Sequence, residues 1–299
     1  MDTPEMELQA APAEAAKKPW KGITAATLKI IAITTMLIDH IGASFFESLL
    51  IYSQYGASVK ALLGRKAPFL YASWMDNWQK FYSINMTFRE IGRIAFPIFC
   101  FQIVEGALHT HHKARYAIRL FLFGLISEIP FDRAFFGQTF DWSHQNVYFT
   151  LLLGLLAVFC LQLIPEKPAA PPHDWSKPAS EQPPAPKVKR TPEEIKRTVL
   201  GIAGAVACAV VAALLKTDYD WKGVASIIVL YLFHKDRVKQ CIAGAIAFLW
   251  EFTAPLAFIP VRFYNGKYGI RSKAFQYFFY LFYPGHLLLL GLFRMYLGI

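Results

Sequence analysis

The sequence predicts an all-α, polytopic integral membrane protein with about eight transmembrane helices in one bundle, within a range of roughly seven to nine. Composition is the first reason, because 55% of the 299 residues are hydrophobic and only 17% are charged, whereas soluble domains are about a quarter charged. The second reason is that the charged residues cluster between long apolar runs. The same composition excludes a disordered chain, a disulfide scaffold and a collagen-like fibre.

Eight apolar stretches are candidates for spanning helices, each of which needs about 20 mostly apolar residues. They run from Ala25 to Phe46, Ile91 to Leu108, Tyr116 to Ile129, Val147 to Ile164, Val199 to Leu215, Gly223 to Phe233, Cys241 to Ile259 and Phe275 to Leu297. The third and sixth are short enough to be re-entrant or interfacial. Pro130 is expected to end the third, because proline breaks the helical hydrogen-bond ladder.

These helices divide the chain into four regions. Residues 1–22 are predicted to be a disordered cytoplasmic tail, which lacks the basic and apolar segments of a cleavable signal peptide. Residues 23–164 hold the N-terminal helices of the bundle and include a semi-polar loop, rich in Tyr and Trp, at residues 47–88. A Pro-rich cytoplasmic linker follows at 165–195, and residues 196–299 supply the C-terminal helices of the same bundle.

The distribution of lysine and arginine predicts the orientation. Basic clusters flank the first helix, follow the second and fill the Pro-rich linker, and positively charged segments stay on the cytoplasmic side. Both termini are therefore expected in the cytoplasm, with the bundle in the inner or plasma membrane. Topology thus explains the net charge of +10, so the expected partner is the lipid bilayer and not a nucleic acid. The loop before the last helix is the exception, because it places four basic residues on the expected outer side.

The first helix carries the main candidate site. An ionisable side chain inside a spanning helix costs about 2.5–3.5 kcal/mol, so each is a functional candidate. Asp39 and His40 lie deep in this helix, and Lys29 lies 11 residues before His40, which puts both on one helical face. His40 can act as a general base, helped by Asp39. In the alternative interpretation, both side chains only hydrogen-bond neighbouring helices.

Further ionisable residues occur in the later helices. Glu105 either faces the same polar cavity or forms an ion pair with another helix. Glu128, Asp132 and Asn146 either form a polar mouth on the extracytoplasmic side or belong to a solvated loop end. His286 follows a Pro-Gly kink, so it either belongs to a site or bonds a carbonyl that the kink frees. No metal site is predicted, because the four cysteines lie far apart and no metal or nucleotide motif occurs.

Several motifs, in this order, resemble the TraX family. The matching runs are Leu28 to Gly42, Ile91 to Thr110, Arg119 to Asp132, Gln145 to Gly154 and Phe279 to Leu287. The resemblance implies a polytopic acetyltransferase, similar to the enzyme that acetylates the N-terminal alanine of conjugative pilin and distantly similar to the acyltransferase-3 class. In that wider class an arginine and a histidine of the first helix mark the site. Lys29 and His40 have the corresponding spacing here.

The resemblance and these residues together predict a membrane acetyltransferase, dependent on acetyl-CoA as co-substrate, that acts on an amine or hydroxyl acceptor from the extracytoplasmic side. The predicted catalytic residues are His40 as general base, Asp39, Glu105 and His286. The phosphates of acetyl-CoA are expected at Lys29, Arg115 and Arg119. The acceptor, an exported peptide, glycan or small amine, is expected at Glu128, Asp132 and Asn146.

Three alternatives stay open at this stage. Transfer can be direct or can pass through an acetyl-imidazole on His40. The chain can instead be a proton-coupled secondary transporter that uses Asp39, His40, Glu105 and Glu128, although no inverted repeat is visible. It can also be an assembly protein whose buried charges only hold helices together.

Overall fold

A computed structural model describes residues 22–52, 64–66, 68, 77–166, 190–270 and 272–298 of the chain. Most of the predicted N-terminal tail, much of the predicted 47–88 loop and most of the predicted Pro-rich linker therefore lie outside the described residues. Within these ranges the regular structure is helical, and β-type backbone pairing is limited to two isolated bridges, Ile23 with Tyr264 and Gln145 with Thr217.

The helices follow the apolar stretches of the sequence. In chain order they are α1 (Ala25–Ile41), a π-helical turn (Gly42–Phe46), α2 (Glu47–Tyr52), α3 (Trp78–Gly92), α4 (Ala95–His109), α5 (Lys113–Phe135), α6 (Val147–Leu161), α7 (Pro192–Leu214), α8 (Asp220–Leu232), α9 (Arg237–Ala247), a 3₁₀ turn (Ala254–Ala257), α10 (Phe258–Arg262) and α11 (Lys273–Leu297). The shared core of the bundle contains fully buried apolar residues of α1, α4, α6 and α8, among them Leu28, Ile98, Leu155 and Ile227.

Four helical stretches in the described part of the chain are long and apolar enough to cross a membrane. They are Ala25–Ile51, Trp78–His109, Pro192–Leu214 and Ala274–Leu297. Many of their large apolar side chains face outward instead of into the core, which indicates a membrane protein. The all-helical fold is therefore confirmed, whereas the count of eight spanning helices is not.

The first and last helices run parallel. The Lys29 ammonium lies 5.5 Å from the centre of the Phe279 ring, and farther along both helices the rings of Phe45 and Phe293 are 5.5 Å apart. We call the end of the bundle at which α1 begins the near end and the opposite one the far end. Because α11 also runs from the near end to the far end, the described chain begins and ends at opposite ends of the bundle, which does not support the prediction that both termini lie on one side.

A helical hairpin accounts for this difference. The stretch Cys241–Ile259, predicted as one spanning helix, is divided: α9 ends at Ala247, the chain turns, and α10 leads it back. Pro255 lies in the first turn of the 3₁₀ segment, where a proline is tolerated because its missing N–H group has no helical partner to lose. The chain then returns to the near end, where Phe263 O accepts a 2.8 Å hydrogen bond from Ile23 N–H. The prediction of a seventh spanning helix is therefore wrong.

The hairpin also changes the end of the bundle at which the loop before α11 lies. The four basic residues of this loop did not fit the orientation predicted from the sequence. Ala25 N–H donates to Lys267 O at 2.9 Å, and Ala26 N–H donates to Tyr268 O at 3.0 Å. The basic loop before α11 thus lies at the near end, beside the start of α1. The described residues of this basic loop, such as Lys267, consequently share one end of the bundle with the start of α1.

Pro130 does not end α5, as the sequence had suggested. The helix continues through the proline to Phe135. There the Arg294 guanidinium of α11 donates to Ala134 O at 3.1 Å and to Phe135 O at 2.7 Å. Pro130 removes one backbone donor, but the following turn stays helical because Arg294 binds its carbonyl groups.

Candidate functional site

His40 and His286 meet in the interior of the bundle. His40 lies in the last turn of α1, and its Nδ1 is 2.7 Å from Nε2 of His286 on α11. His286 Nδ1 in turn lies 2.6 Å from Phe282 O. The two imidazole planes differ by only 15°, with ring centroids 4.9 Å apart. Because that separation far exceeds the nitrogen-to-nitrogen distance, the rings meet edge to edge, which aligns the hydrogen bond with both ring planes.

Aromatic side chains surround this histidine pair. Phe135 and Tyr283 both present ring edges to His40, at centroid distances of 5.2 Å and 5.8 Å. Tyr283 also contacts Tyr148 of α6 edge-on at 5.1 Å. His286 is only 7% exposed, whereas His40 is less completely buried. The pair is therefore held in place by packing, with both rings largely enclosed by the bundle.

Asp39 binds α3 instead of His40. Its Oδ2 lies 2.8 Å from Arg89 Nη1, and Gly92 allows the close approach of the two helices, because an added Cβ there would overlap the Asp39 side chain. The contact that orients His40 thus comes from His286, while Asp39 fixes α1 against α3. Sequence reasoning did not single out Arg89 as the partner of Asp39.

A second arginine ties the hairpin to the junction between α3 and α4. Arg93 forms ion pairs with Glu251 of the hairpin turn and, at 3.3 Å, with Glu90. The Thr253 hydroxyl donates to the backbone oxygen of Glu90 at 2.6 Å. These contacts hold the turn of the hairpin against the bundle, close to the level of Asp39 and Arg89.

Glu105 is held by an arginine of the hairpin. Its Oε1 lies 3.0 Å from Arg237 Nη2, and Arg237 Nη1 donates to Gln240 Oε1 at 2.7 Å. The Arg237 guanidinium also lies against the rings of Phe101 and Tyr264, at 4.6 Å and 5.2 Å. No contact of the described residues brings Glu105 to His40, and its surroundings favour the ion-pair interpretation of this residue.

Two of the three predicted cofactor residues converge on α11. Lys29 faces Phe279, and the Arg119 guanidinium lies 5.9 Å from the centre of the Tyr280 ring. Neither cation forms an ion pair with an acidic residue of the described ranges. Arg115 is exposed and does not take part in these aromatic contacts. The structure therefore gathers Lys29 and Arg119, half-buried and without a counter-ion, towards the near end.

The distance between this basic pair and the histidine pair can be read along α1. Lys29 and His40 are 11 residues apart on one helix, which corresponds to about 16 Å at 1.5 Å per residue. On α11, His286 lies two turns beyond Phe279 in the same direction. The two helices thus present a cationic position near one end and a pair of histidines deeper in the bundle.

The predicted acceptor residues gather where α5 meets the start of α6. Glu128 Oε1 accepts a 3.1 Å hydrogen bond from Asn146 N–H, and Asn146 Nδ2 donates to Gly124 O at 2.8 Å. Asp132 Oδ2 accepts from Asp141 N–H at 2.8 Å. These bonds hold the far-end loop, while Glu128 keeps one buried oxygen, Oε2, without a hydrogen-bond partner in the described part of the chain.

Asp218, which the sequence did not single out, lies in the loop between α7 and α8. Desolvation by the surrounding protein and repulsion from Asp39 raise the pKa of its carboxyl to about 7, against the attraction of Arg89. The residue nevertheless stays exposed. Asp218 therefore lies in an exposed loop at the far end, close enough to Asp39 and Arg89 for their charges to act on its carboxyl.

The chemistry that the described residues can perform centres on the histidine pair. Among the residues that the structure describes, no group of three or more His, Cys, Asp or Glu side chains is placed to hold a metal ion. The half-buried His40, oriented by His286, is the clearest chemical group. It lies between the basic residues Lys29 and Arg119 towards the near end and the acidic residues Glu128 and Asp218 towards the far end.

The comparisons with known proteins agree with each other. The family model described as TraX protein matches residues 24–170 and 187–294. A curated relative, the "Probable fimbrial assembly protein FimC, serogroup H1" of Dichelobacter nodosus, is 27% identical over 303 residues, which cover 90% of this chain and 95% of that protein. Neither match shows the likeness to the acyltransferase-3 class. No solved structure matches significantly.

Proposed function

Since the chain belongs to the TraX protein family, we propose that it is a membrane-embedded acetyltransferase. It moves an acetyl group from cytoplasmic acetyl-CoA to an amine or hydroxyl acceptor on the opposite side. One observation carries this proposal: His40, hydrogen-bonded to His286, lies on the same face of α1 as the half-buried cation Lys29.

The spacing of these groups suits the donor. Acetyl-CoA has anionic phosphates at one end and its thioester at the end of the pantetheine arm. The arm has about as many chain atoms as four amino-acid residues, so it extends about 15 Å, close to the rise between Lys29 and His40. Phosphates at Lys29 and Arg119 would place the thioester beside His40. Arg115, on the exposed surface, can attract the cofactor but is too peripheral to bind it in this pose.

The orientation of the bundle follows from the same geometry. The near end carries the basic loops and is therefore the cytoplasmic end by the positive-inside rule. The helices α1, α3 with α4, α5, α6, α7, α8 and α11 cross the membrane, and the hairpin of α9 and α10 enters and leaves on the cytoplasmic side. The described chain thus starts in the cytoplasm and ends outside, in a cell membrane.

The acceptor enters from the far end. Beyond the histidine pair Asp218 is exposed there, Glu128 is half-buried, and Asn146 is buried behind Glu128. In the reaction His40 removes a proton from the acceptor as its nitrogen or oxygen attacks the acetyl carbonyl carbon. The site therefore lets the acetyl group cross the membrane without the cofactor, which a soluble enzyme cannot do.

A pilus or fimbrial subunit is the first acceptor to test. The curated relative is a probable fimbrial assembly protein, and such subunits are exported polypeptides with an N-terminal amine. An exported subunit meets the acetyl group only at the extracytoplasmic side, which is the geometry proposed here.

The decisive experiment uses purified protein in lipid nanodiscs with acetyl-CoA labelled in the acetyl group. Transfer to a peptide acceptor, or slow hydrolysis of the thioester, is expected in the wild-type protein and is expected to vanish in His40→Ala. His144→Ala, which removes an exposed loop histidine, is the matched control and should keep full activity. Equal activity of His40→Ala and wild type would eliminate His40 as the base.

The transporter alternative has less support. It needs Asp39, His40, Glu105 and Glu128 as a connected proton relay. Asp39 instead pairs with Arg89, and Glu105 pairs with Arg237. Calorimetric binding of acetyl-CoA separates the two functions, because a proton-coupled transporter does not need this ligand.

A further inference from the structure

The positions of the hydrogens in the histidine pair follow from its last acceptor. Phe282 O can only accept, so His286 Nδ1, 2.6 Å away, must carry a proton. None of the described acidic residues contacts His286, and an unpaired imidazolium in the bundle interior would be costly. A neutral imidazole has one N–H group. His286 Nε2 therefore carries a lone pair, and the hydrogen of the 2.7 Å bond belongs to His40 Nδ1.

We infer that His286 is a positioning residue that holds His40 in the tautomer with a free Nε2, so that Nε2 is the atom that reacts. This inference rests on the proposed acetyl transfer for its consequence, but the tautomer itself follows from the contacts alone. A free histidine side chain exchanges between its two tautomers. Here the acceptor at His286 selects one of them.

The reaction then has a complete proton balance. As the acceptor nitrogen or oxygen bonds to the acetyl carbon, its proton moves to His40 Nε2. The bond between that carbon and sulfur breaks, and the proton moves from Nε2 to the sulfur of CoA. Between these events His40 is a cation, and its Nδ1–H stays bonded to His286 Nε2, which stabilises the charge. His286 neither gains nor loses a proton, and no oxidant or reductant is needed.

The surrounding residues keep the pair aligned. Pro284 lacks an N–H group and so leaves the carbonyl of Tyr280 without its usual helical donor. The Tyr148 hydroxyl lies 3.5 Å from that carbonyl oxygen, at the limit of hydrogen bonding. Phe282, one turn before His286, stacks its ring on the imidazole at 4.9 Å. The geometry of α11 around the kink is thus built around the position of His286.

Two amide substitutions separate the two bonds of His286. His286→Gln places a polar group near the position of Nε2 and can still accept from His40. His286→Asn is shorter and places its polar group near Nδ1, so it can bond Phe282 O but does not reach His40. We expect kcat to fall about 100-fold in His286→Asn, the size of a lost acid-base contribution, and less than about 10-fold in His286→Gln. The KM for acetyl-CoA should stay the same in both. The reverse order of the two variants would overturn the inference.

A second measurement does not depend on activity. Nitrogen NMR of protein labelled in histidine, in lipid bilayers, distinguishes protonated from unprotonated ring nitrogens. The His40 signals, assigned by their loss in His40→Gln, should show a protonated Nδ1 in wild type and in His286→Gln but not in His286→Asn. A proton on His40 Nε2 in the wild-type protein refutes the inference. If the tautomer is as expected but no acetyl transfer occurs, the proposed function fails and the assignment of the hydrogens stands.

Discussion

Replacing Gly92 with alanine should damage both the stability of the bundle and its activity. Gly92 ends α3, where this helix meets α1 next to the Asp39–Arg89 ion pair. An alanine Cβ would lie less than 3.0 Å from Cβ, Cγ and Oδ1 of Asp39, a separation that real contacts do not reach. Because the Asp39 Cβ is attached directly to the backbone, rotation of a side chain cannot relieve the overlap. Helix α1 itself must shift.

The size of the effect can be estimated from two opposing contributions. Overpacking a tight contact costs about 1–3 kcal/mol, and the upper part of this range applies because three atoms of Asp39 are overlapped. Alanine also favours a helix over glycine by about 1 kcal/mol, which offsets part of the loss. We therefore expect a net loss of about 1–2 kcal/mol, or several degrees in melting temperature.

Gly285 supplies the matched control. It lies in α11 next to His286, yet no atom lies within 4 Å of an added Cβ. Gly285→Ala should therefore melt at the same temperature as wild type or slightly above it, while Gly92→Ala melts lower and transfers acetyl groups more slowly. Melting in detergent and transfer in nanodiscs are the assays. If Gly92→Ala melts at or above the wild-type temperature, the close approach of α1 and α3 is refuted.

Three further predictions test other parts of the molecule. Lys29→Ala should raise the KM for acetyl-CoA about 10-fold, because the variant lacks one partly buried cation. Arg115→Ala should change this KM less than about 2-fold. Titrations of the initial rate measure both values, and similar effects of the two variants would remove Lys29 from the donor site. Arg237→Ala leaves Glu105 without its partner and should destabilise the bundle by about 2 kcal/mol, which is below the cost for a fully buried pair because both groups are partly exposed. The double variant with Glu105→Gln should regain part of the lost stability in thermal melts. If it regains none, the stability of the bundle does not depend on this ion pair. Asp218 has a folded pKa of about 7, above its unfolded value of about 4. Its contribution to stability is therefore complete below the unfolded pKa and is lost as the pH rises through the folded pKa. Melting temperatures from pH 5 to 8 should fall more steeply in wild type than in Asp218→Asn, and parallel curves would exclude the shift in pKa.

The sequence predicted what depends on local pattern. Apolar runs gave the helices, and the interval between Lys29 and His40 placed both on one face, because helical periodicity fixes that relation. Pairing across the bundle has no such signal: His286 is 246 residues from His40, and only the fold brings them together. The two prolines show the same limit. Pro130 lies inside a helix whose end is held by Arg294, whereas Pro255 follows a turn, and the difference depends on distant contacts.

The topology error has a physical origin as well. A hydropathy count treats every apolar stretch of sufficient length as one crossing, and Cys241–Ile259 has that length. The hairpin is stable against the bundle because polar groups of its turn find partners there, with Glu251 bound to Arg93 and Thr253 to Glu90. Irregular backbone at membrane depth is tolerated only where protein or water satisfies it. The acidic residue of the turn was thus the signal, but its arginine partner lies far away in sequence.

Helix length explains why a deep histidine can be reached from outside. Helix α6 has 15 residues and α8 has 13, so each spans about 20 Å, well short of a hydrocarbon core of about 30 Å. They share the near end, and the missing length lies at the far end. There Tyr219, beside Asp218, stacks on Phe96 near the start of α4 at 3.5 Å, which places that loop at the level of the junction between α3 and α4. A charged group at that depth needs water, so in the proposed orientation we expect the outer solution to reach the level of Asp39, one residue from His40.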